Sequence, residues 1–152
     1  MTHKPASGII NLFNETNLDV PINEKEAQNV LSSVSVGESR SFNFVELVYV
    51  DEEGIIDVNS KYLNRDYVTD IISFHYTEDE AESIEGTLYC CAPRIFEQAK
   101  EFEQPVKTEF FRILVHGLLH LIGYDDQTES EIQLMHGKEN YYLNLLKMPY
   151  EE

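Results

Sequence analysis

The sequence predicts an α+β fold, with a small mixed four-stranded sheet, about five helices packed on it and a metal-binding helix at its centre. Segments rich in β-branched and aromatic residues are interspersed with segments whose apolar residues recur with the period of a helix. The chain has 152 residues, of which 42% are apolar, and it shows no internal repeat, low-complexity tract or linker. We therefore expect one domain over residues 1–152, long enough to bury a real core.

The first half of the chain predicts three strands and two helices. Residues 8–13, 41–50 and 69–76 are the expected strands. A first helix should follow Asn23, which forms a capping-box pair with Glu26, and should stop at Gly37. Asp51-Glu-Glu-Gly should start the next element, a short second helix whose helical pattern covers residues 55–62, with a polar exit over residues 63–66.

The second half predicts one strand and three helices. Residues 77–85 hold four Glu and one Asp and should form a solvated acidic loop before a fourth strand over residues 86–91. Pro93 suits the first position of a third helix, and Pro105 should end it. A very apolar helix from about Thr108 to Ile122 and a last helix over roughly residues 129–146 complete the chain.

Composition constrains the partners and the compartment. The net charge is −17, from 11 Lys and Arg against 28 Asp and Glu, which disfavours tight nonspecific binding of RNA or DNA but allows a basic partner. No signal peptide and no apolar stretch of membrane-spanning length is expected. Cys90 and Cys91 should point to opposite faces of a strand, so a reducing, cytoplasmic setting fits better than a disulfide framework.

The sequence His116-Gly-Leu-Leu-His120-Leu-Ile-Gly123-Tyr-Asp-Asp126 predicts a metal site. Residues i and i+4 lie on the same face of a helix, so His116 and His120 can bind one ion. Gly123 lets the chain leave the helix, and the turn can return Asp126 as a third ligand. Three protein ligands with an open fourth position are typical of catalytic zinc.

The spacing resembles that of zinc proteases, but one residue differs. Those proteases carry a Glu, the general base, directly after the first His, and Gly117 stands at that position here. The pattern therefore predicts a metal and argues against ordinary peptide hydrolysis. A His₂-carboxylate set suits Zn²⁺, and nickel or iron could also occupy it.

Two segments resemble the YbeY family of metal-dependent endoribonucleases that mature ribosomal RNA. They are the histidine segment above and Tyr62-Leu-Asn-Arg-Asp-Tyr-Val-Thr-Asp-Ile-Ile-Ser-Phe74; Met135 and Glu139 also fall where the last helix of the family carries Met and Glu. The resemblance covers nearly the whole chain. It implies a zinc ion, a mixed sheet with helices around it, and a role in 16S rRNA 3′-end processing and ribosome quality control.

The chain departs from the family pattern at three positions. Asp126 stands where the family usually has a third His, and a carboxylate still binds zinc while adding one negative charge. Leu63 stands where the family has an Arg, so Lys61 or Arg65 would have to supply that cation. Thr87 replaces the Asp of the family's Gly-Asp strand start.

The residues and the resemblance together suggest a chemistry. The hypothesis is that a metal held by His116, His120 and Asp126 polarises a phosphoryl oxygen and activates water, while Lys61 or Arg65 stabilises the charge that builds on phosphate. Asp125 either orients a ligand His or caps the turn. The nucleophile is either the metal-bound hydroxide or the 2′-hydroxyl of the RNA.

Three functions are open on this evidence. The first is a single-strand-directed, zinc-dependent endoribonuclease that acts on rRNA. The second is a ribosome assembly factor whose metal is mainly structural and whose acidic surface binds a basic ribosomal protein. The third is a metallohydrolase of other substrates such as peptides, which Gly117 disfavours.

Overall fold

Four strands form one mixed sheet in the order β1-β2-β4-β3 in the computed structural model, which describes residues 7–78 and 82–150. Strands β1 (Ile9–Asn14), β2 (Ser41–Val50) and β4 (Ser83–Cys91) run parallel, and β3 (Ile71–His75) pairs antiparallel with β4 at the edge. The predicted mixed four-stranded sheet is confirmed. The predicted start of β4 at Gly86 is wrong, because Ser83 and Ile84 already pair with the first residues of β2.

Helix α1 (Glu24–Glu38) begins as predicted and ends later than predicted. Asn23 accepts a hydrogen bond from the Glu26 backbone N–H, and the Glu26 side chain accepts one from Asn23 N–H. Gly37 does not end the helix: Ser39, with φ of 55°, is the left-handed C-cap. A Cβ on Gly37 would lie 2.2 Å from the Tyr142 hydroxyl oxygen, so this glycine permits close packing against the last helix.

Helix α2 (Glu52–Leu63) begins within the predicted Asp51-Glu-Glu-Gly segment. The Asp51 carboxylate accepts a hydrogen bond from the Gly54 backbone N–H at 2.7 Å and starts the helix there. Helices α3 (Ala92–Glu101), α4 (Val106–Ile122) and α5 (Glu129–Leu145) follow near the predicted positions. The described residues therefore contain the five expected helices.

The two faces of the sheet carry different layers. The larger core joins one face to α1, α3, α4 and α5, and a smaller cluster joins the other face to α2. Cys90 belongs to the larger core and Cys91 to the smaller one, and both thiols are free. This confirms that the two cysteines point to opposite faces and form no disulfide with each other.

Helix α4 lies at the centre of the larger core. It packs against α1, α3 and α5 and against strands β3 and β4, and most of its residues are buried. Beyond its exposed first residues, one narrow face of the helix, which carries His116 and His120, reaches solvent in part. Within the described ranges, no helix is long and apolar enough to cross a membrane.

Candidate metal centre

The three predicted ligands meet at the C-terminal end of α4. Helix α4 ends at Ile122, and Gly123, with φ of 121°, turns the chain so that Asp126 comes back beside the histidines. The Nε2 atoms of His116 and His120 lie 3.0 Å apart, and Asp126 Oδ2 lies 3.4 Å from each of them. Each side chain is partly exposed.

These distances fit one small metal ion. With Zn–N and Zn–O bonds of roughly 2.0–2.1 Å and tetrahedral angles, neighbouring ligand atoms would lie about 3.3–3.4 Å apart. The two carboxylate distances have that value, and the Nε2–Nε2 distance is a few tenths of an ångström shorter. His116, His120 and Asp126 could therefore hold a metal ion with little movement.

His116 is oriented by a carboxylate from α5. Its Nδ1 lies 2.8 Å from Glu139 Oε2, and the other oxygen of Glu139 accepts a hydrogen bond from Arg112 at 3.0 Å. Glu139 is only 2% exposed. A histidine that donates from one ring nitrogen to a carboxylate presents the other nitrogen to a metal, so Glu139 fixes the orientation that a ligand needs.

His120 is oriented by the backbone of the turn that follows. Its Nδ1 lies 2.9 Å from the carbonyl oxygen of Tyr124, and a carbonyl can only accept, so Nδ1 carries the proton. The Tyr124 N–H in turn donates to the Leu119 carbonyl at 3.0 Å. The turn that returns Asp126 thus also directs His120 Nε2 into the site.

The two histidine Nε2 atoms and the Asp126 carboxylate oxygen would be stabilised by a positive charge between them. With a proton on each Nδ1, neutral His116 and His120 present two lone pairs and Asp126 presents a carboxylate, all within 3.4 Å. Such an arrangement repels itself unless a cation lies inside it. A metal ion, or an added proton on His116, supplies that cation.

The electrostatics of His116 also favour positive charge. Burial lowers the pKa of His116, but the hydrogen bond and charge of Glu139, together with Asp126 and Asp70, outweigh burial, so the pKa is raised. For Glu139, burial raises the pKa, but His116 and Arg112 outweigh burial and lower it. Glu139 is therefore ionised and can accept from both partners.

Gly117 faces the sheet and not the metal site. A Cβ there would lie 2.6 Å from Ile71 Cδ1 and 3.0 Å from Leu88 Cδ1. The position where zinc proteases carry their general base has no room for a side chain in this fold. This packing supports the expectation that Gly117 disfavours peptide hydrolysis.

A groove of about 490 Å³ opens beside the three predicted ligands, and its lining residues distinguish between the two candidate cations. Arg65 and Leu63 lie among the lining residues, whereas Lys61 stacks on the Tyr62 ring with its Nζ 5.2 Å from the ring centre. Asn64, in the left-handed conformation with φ of 55°, turns the chain after α2 and directs Arg65 into the groove. The backbone N–H of Arg65 donates to the Asn59 carbonyl at 3.2 Å.

The other residues singled out from the sequence have structural roles outside the metal site. Asp125 Oδ1 accepts from the Asp126 backbone N–H at 2.8 Å, which is the turn-capping alternative. Met135 is 2% exposed and belongs to the core. Thr87 is buried with its hydroxyl 2.7 Å from the Tyr76 hydroxyl, away from the residues that line the groove.

Sequence reasoning missed the two groups that orient the histidines. Glu139 lies 23 residues after His116, and no local pattern links them; the signal available was its match to the Glu of the family's last helix. The Tyr124 acceptor is a backbone atom, which no residue type announces.

Fold and site together define a class: an α+β protein whose central helix and following turn bring together three residues that could hold one metal ion. A model of the family described as Endoribonuclease YbeY matches residues 10–147. The chain belongs to that family, whose enzyme class is that of RNA-cleaving hydrolases.

Individual relatives support the assignment. A protein named Endoribonuclease YbeY from Flavobacterium psychrophilum is 34% identical over 84% of this chain and 91% of the relative. Relatives of the same name from Flavobacterium johnsoniae and Karelsulcia muelleri are 35% and 32% identical, over 87% and 93% of this chain and 93% and 99% of theirs. A solution structure of a Thermotoga maritima protein matches the fold with a TM-score of 0.64 at 21% identity, covering 91% of this chain and 92% of that one.

Proposed function

We propose that this chain is a metal-dependent endoribonuclease that cleaves single-stranded rRNA and acts in 16S rRNA 3′-end maturation and ribosome quality control. The observation that carries the proposal is the convergence of His116, His120 and Asp126 beside an open groove in a member of the endoribonuclease YbeY family. The proposal includes a single domain over residues 1–152 that works in the cytoplasm.

The chain's own residues have defined roles in this proposal. His116, His120 and Asp126 hold the ion, for which we propose Zn²⁺, while Glu139 and the Tyr124 carbonyl keep the imidazoles aimed at it. When bound, the ion would polarise a phosphoryl oxygen and make water a better nucleophile at neutral pH.

Arg65 is our candidate for the group that stabilises negative charge on the phosphate. Arg65 lines the groove beside the proposed metal ligands, and a guanidinium can donate two parallel hydrogen bonds to phosphate oxygens. Lys61 lies four residues before Arg65 on the same chain segment and is absent from the lining. We therefore expect Arg65→Ala to lower RNA cleavage by about 100-fold, the loss seen when one such donor is removed, and Lys61→Ala to change it little.

The experiment that tests the proposal is cleavage of a labelled rRNA 3′-end precursor by wild type and by His120→Ala, each checked for fold by circular dichroism. Cleavage by wild type alone supports a catalytic metal. Equal cleavage by both proteins would place the activity elsewhere or in a contaminant. An unfolded His120→Ala protein would make the metal structural.

The charge of the chain favours a second candidate. A net charge of −17 attracts basic proteins, so the chain could act as an assembly factor that binds a basic ribosomal protein, with the metal mainly structural. Salt-sensitive binding to ribosomal subunits by a wild-type protein that holds metal but cuts no precursor would favour this candidate over the nuclease.

A further inference from the structure

A second cleft, of about 620 Å³, lies on the other side of His116 from the metal groove. Its walls come from α3, α4 and α5, and it contains the Nδ1 side of the imidazole, where Glu139 binds. Asp70 and His116 line both this cleft and the metal groove. A molecule bound in the cleft would therefore be a direct neighbour of one bound at the metal.

The cleft contains a buried carboxylate without a partner. Glu109 is 3% exposed and lines the cleft, yet no hydrogen bond or ion pair joins its side chain to another of the residues the structure describes. Arg112, three residues further along α4, donates instead to Glu139 at 3.0 Å and to Asn140 at 2.9 Å. Burial raises the pKa of Glu109, and the charge of Arg112 opposes this only in part.

The Glu109 carboxylate has no donor among the described residues, and its oxygens are open to the cleft and not sealed in the core, so a molecule that enters the cleft can donate to them. Asp70 does not supply one, because it is itself an acceptor, from Gln98 Nε2 at 3.1 Å. One or more N–H groups on a ligand would give Glu109 the donor that no described residue supplies.

The charge and shape of the cleft limit the class of ligand that it can bind. Besides His116 and His136, the lining holds Asp70, Glu109 and Glu139 against one arginine that is already engaged, so the carboxylates outnumber the permanent cation and disfavour a phosphate here. At the rim, the Phe102 ring is 58% exposed and offers a flat surface for stacking. A flat, uncharged ring with N–H donors along one edge matches both features.

We propose that this cleft binds an unpaired guanine base of the RNA substrate, next to the phosphate held at the metal groove, with the Glu109 carboxylate accepting hydrogen bonds from the guanine edge. Guanine presents two parallel donors, N1–H and the 2-amino group, to a carboxylate. Uracil presents one N–H flanked by two carbonyls, which a carboxylate repels. The inference rests on the proposed ribonuclease function, since it names the base that such an enzyme would prefer.

The direct test is titration of the full-length protein with free guanosine, inosine and uridine, followed by NMR chemical shifts. Inosine lacks only the 2-amino group, so it isolates one of the two donors. We expect guanosine to bind about tenfold or more tightly than inosine and uridine, the ratio for one hydrogen bond to a charged group. Glu109→Gln should abolish this preference.

Two further variants provide a matched control and an independent test of the base site. Glu97→Gln makes the same substitution on α3 at a carboxylate that is 55% exposed and paired with Arg94, and it should leave the preference unchanged. Phe102→Ala removes an exposed ring, so it should leave the fold intact and weaken all three nucleosides together. If Glu109→Gln fails to fold, the Phe102→Ala result and the nucleoside ranking in wild type still decide the proposal.

Several outcomes would overturn it. Equal binding of guanosine and uridine, or no nucleoside binding at all, would remove the base site. Arginine amide saturating the cleft in place of guanosine, with loss in Glu109→Gln, would assign the cleft to a basic protein.

The failure of the proposed function is separable, because the titration needs no cleavage. Guanosine should bind His120→Ala as it binds wild type, since His120 does not line the cleft. Guanosine binding in a protein that cuts no RNA would refute the nuclease and leave the base site standing.

Discussion

The two histidine ligands are oriented in different ways, although they lie one helical turn apart. His116 depends on Glu139, a buried side chain that α5 brings from 23 residues away. His120 depends on the carbonyl oxygen of Tyr124, four residues later in the turn that ends α4. The first arrangement exists only when the helices pack, whereas the second forms with the helix end itself.

The difference predicts where the site is vulnerable. A side-chain acceptor can be removed by one substitution, while a backbone acceptor survives most substitutions at its own position. We therefore expect mutations on the His116 side to weaken metal binding strongly and mutations of the Tyr124 side chain to change it little.

The largest expected effect is that of Glu139→Ala. It leaves the partly buried Arg112, whose side chain is 16% exposed, without its carboxylate and frees the His116 ring, so we expect a loss of about 3 kcal/mol in the free energy of unfolding and a 10- to 100-fold weaker Zn²⁺ affinity. Urea unfolding and a zinc competition titration measure the two effects. An unchanged zinc affinity in the folded variant would show that Glu139 does not orient His116.

A smaller effect is expected for Glu139→Gln, which keeps the shape and one acceptor oxygen but removes the charge. We expect a zinc affinity about tenfold weaker than that of wild type, at the low end of what loss of such a partner costs. Glu129→Gln, an exposed substitution on the same helix, is the matched control and should bind zinc as wild type does. Equal affinities for the two variants would contradict the assigned role.

On the His120 side, Tyr124→Phe should leave the affinity for the metal nearly unchanged. The Tyr124 hydroxyl donates to Glu38 Oε1 at 2.6 Å, so its loss should cost about 1–2 kcal/mol in the free energy of unfolding, while the carbonyl that orients His120 stays. Zinc affinity should remain within about twofold of wild type. A tenfold loss would show that the tyrosine side chain, and not the backbone alone, positions the turn.

The smallest effect concerns pH. Burial raises the pKa of Glu38, but hydrogen bonds from Tyr124, Tyr142 and Lys138 outweigh burial and lower it. A lowered pKa contributes stability that is complete above the unfolded-state pKa and is lost as the pH falls through the folded-state value. The stability difference between wild type and Glu38→Gln should therefore be larger at pH 7 than at about pH 3.

Urea unfolding of both proteins across that range checks this prediction. A stability difference that does not depend on pH would mean that the charge of Glu38 contributes nothing. Lys138 and the two tyrosines stay in one protonation state across this range, so the change can be assigned to the carboxyl.

The sequence predicts the His120 side of the site better than the His116 side for the same physical reason. The i, i+4 histidines, Gly123 and Asp126 are linked by local geometry, which spacing reveals. The Glu139 contact is tertiary, and only its match to the family pattern pointed to it. Likewise, the sequence does not show whether Lys61 or Arg65 is the better candidate for the cation near the phosphate. The structure favours Arg65, because the left-handed conformation of Asn64 brings Arg65 to the groove.

The same distinction holds for the fold. The Asn23–Glu26 capping box is a local pair and was predicted where α1 begins. The prediction that Gly37 ends α1 is wrong. A glycine is needed there because the side chain of Tyr142, more than a hundred residues away, packs where a Cβ would lie. The start of β4 was missed because pairing with β2, not local composition, extends the strand back to Ser83.

The central claim is that His116, His120 and Asp126 form one metal site. The most direct measurement is the metal content of wild type and His120→Ala after zinc loading and removal of free ion, by inductively coupled plasma mass spectrometry. We predict one ion per wild-type chain and less than about a tenth of that in a folded His120→Ala protein, since loss of one of three ligands leaves no closed site. Equal zinc in both proteins would contradict the claim and place the metal elsewhere.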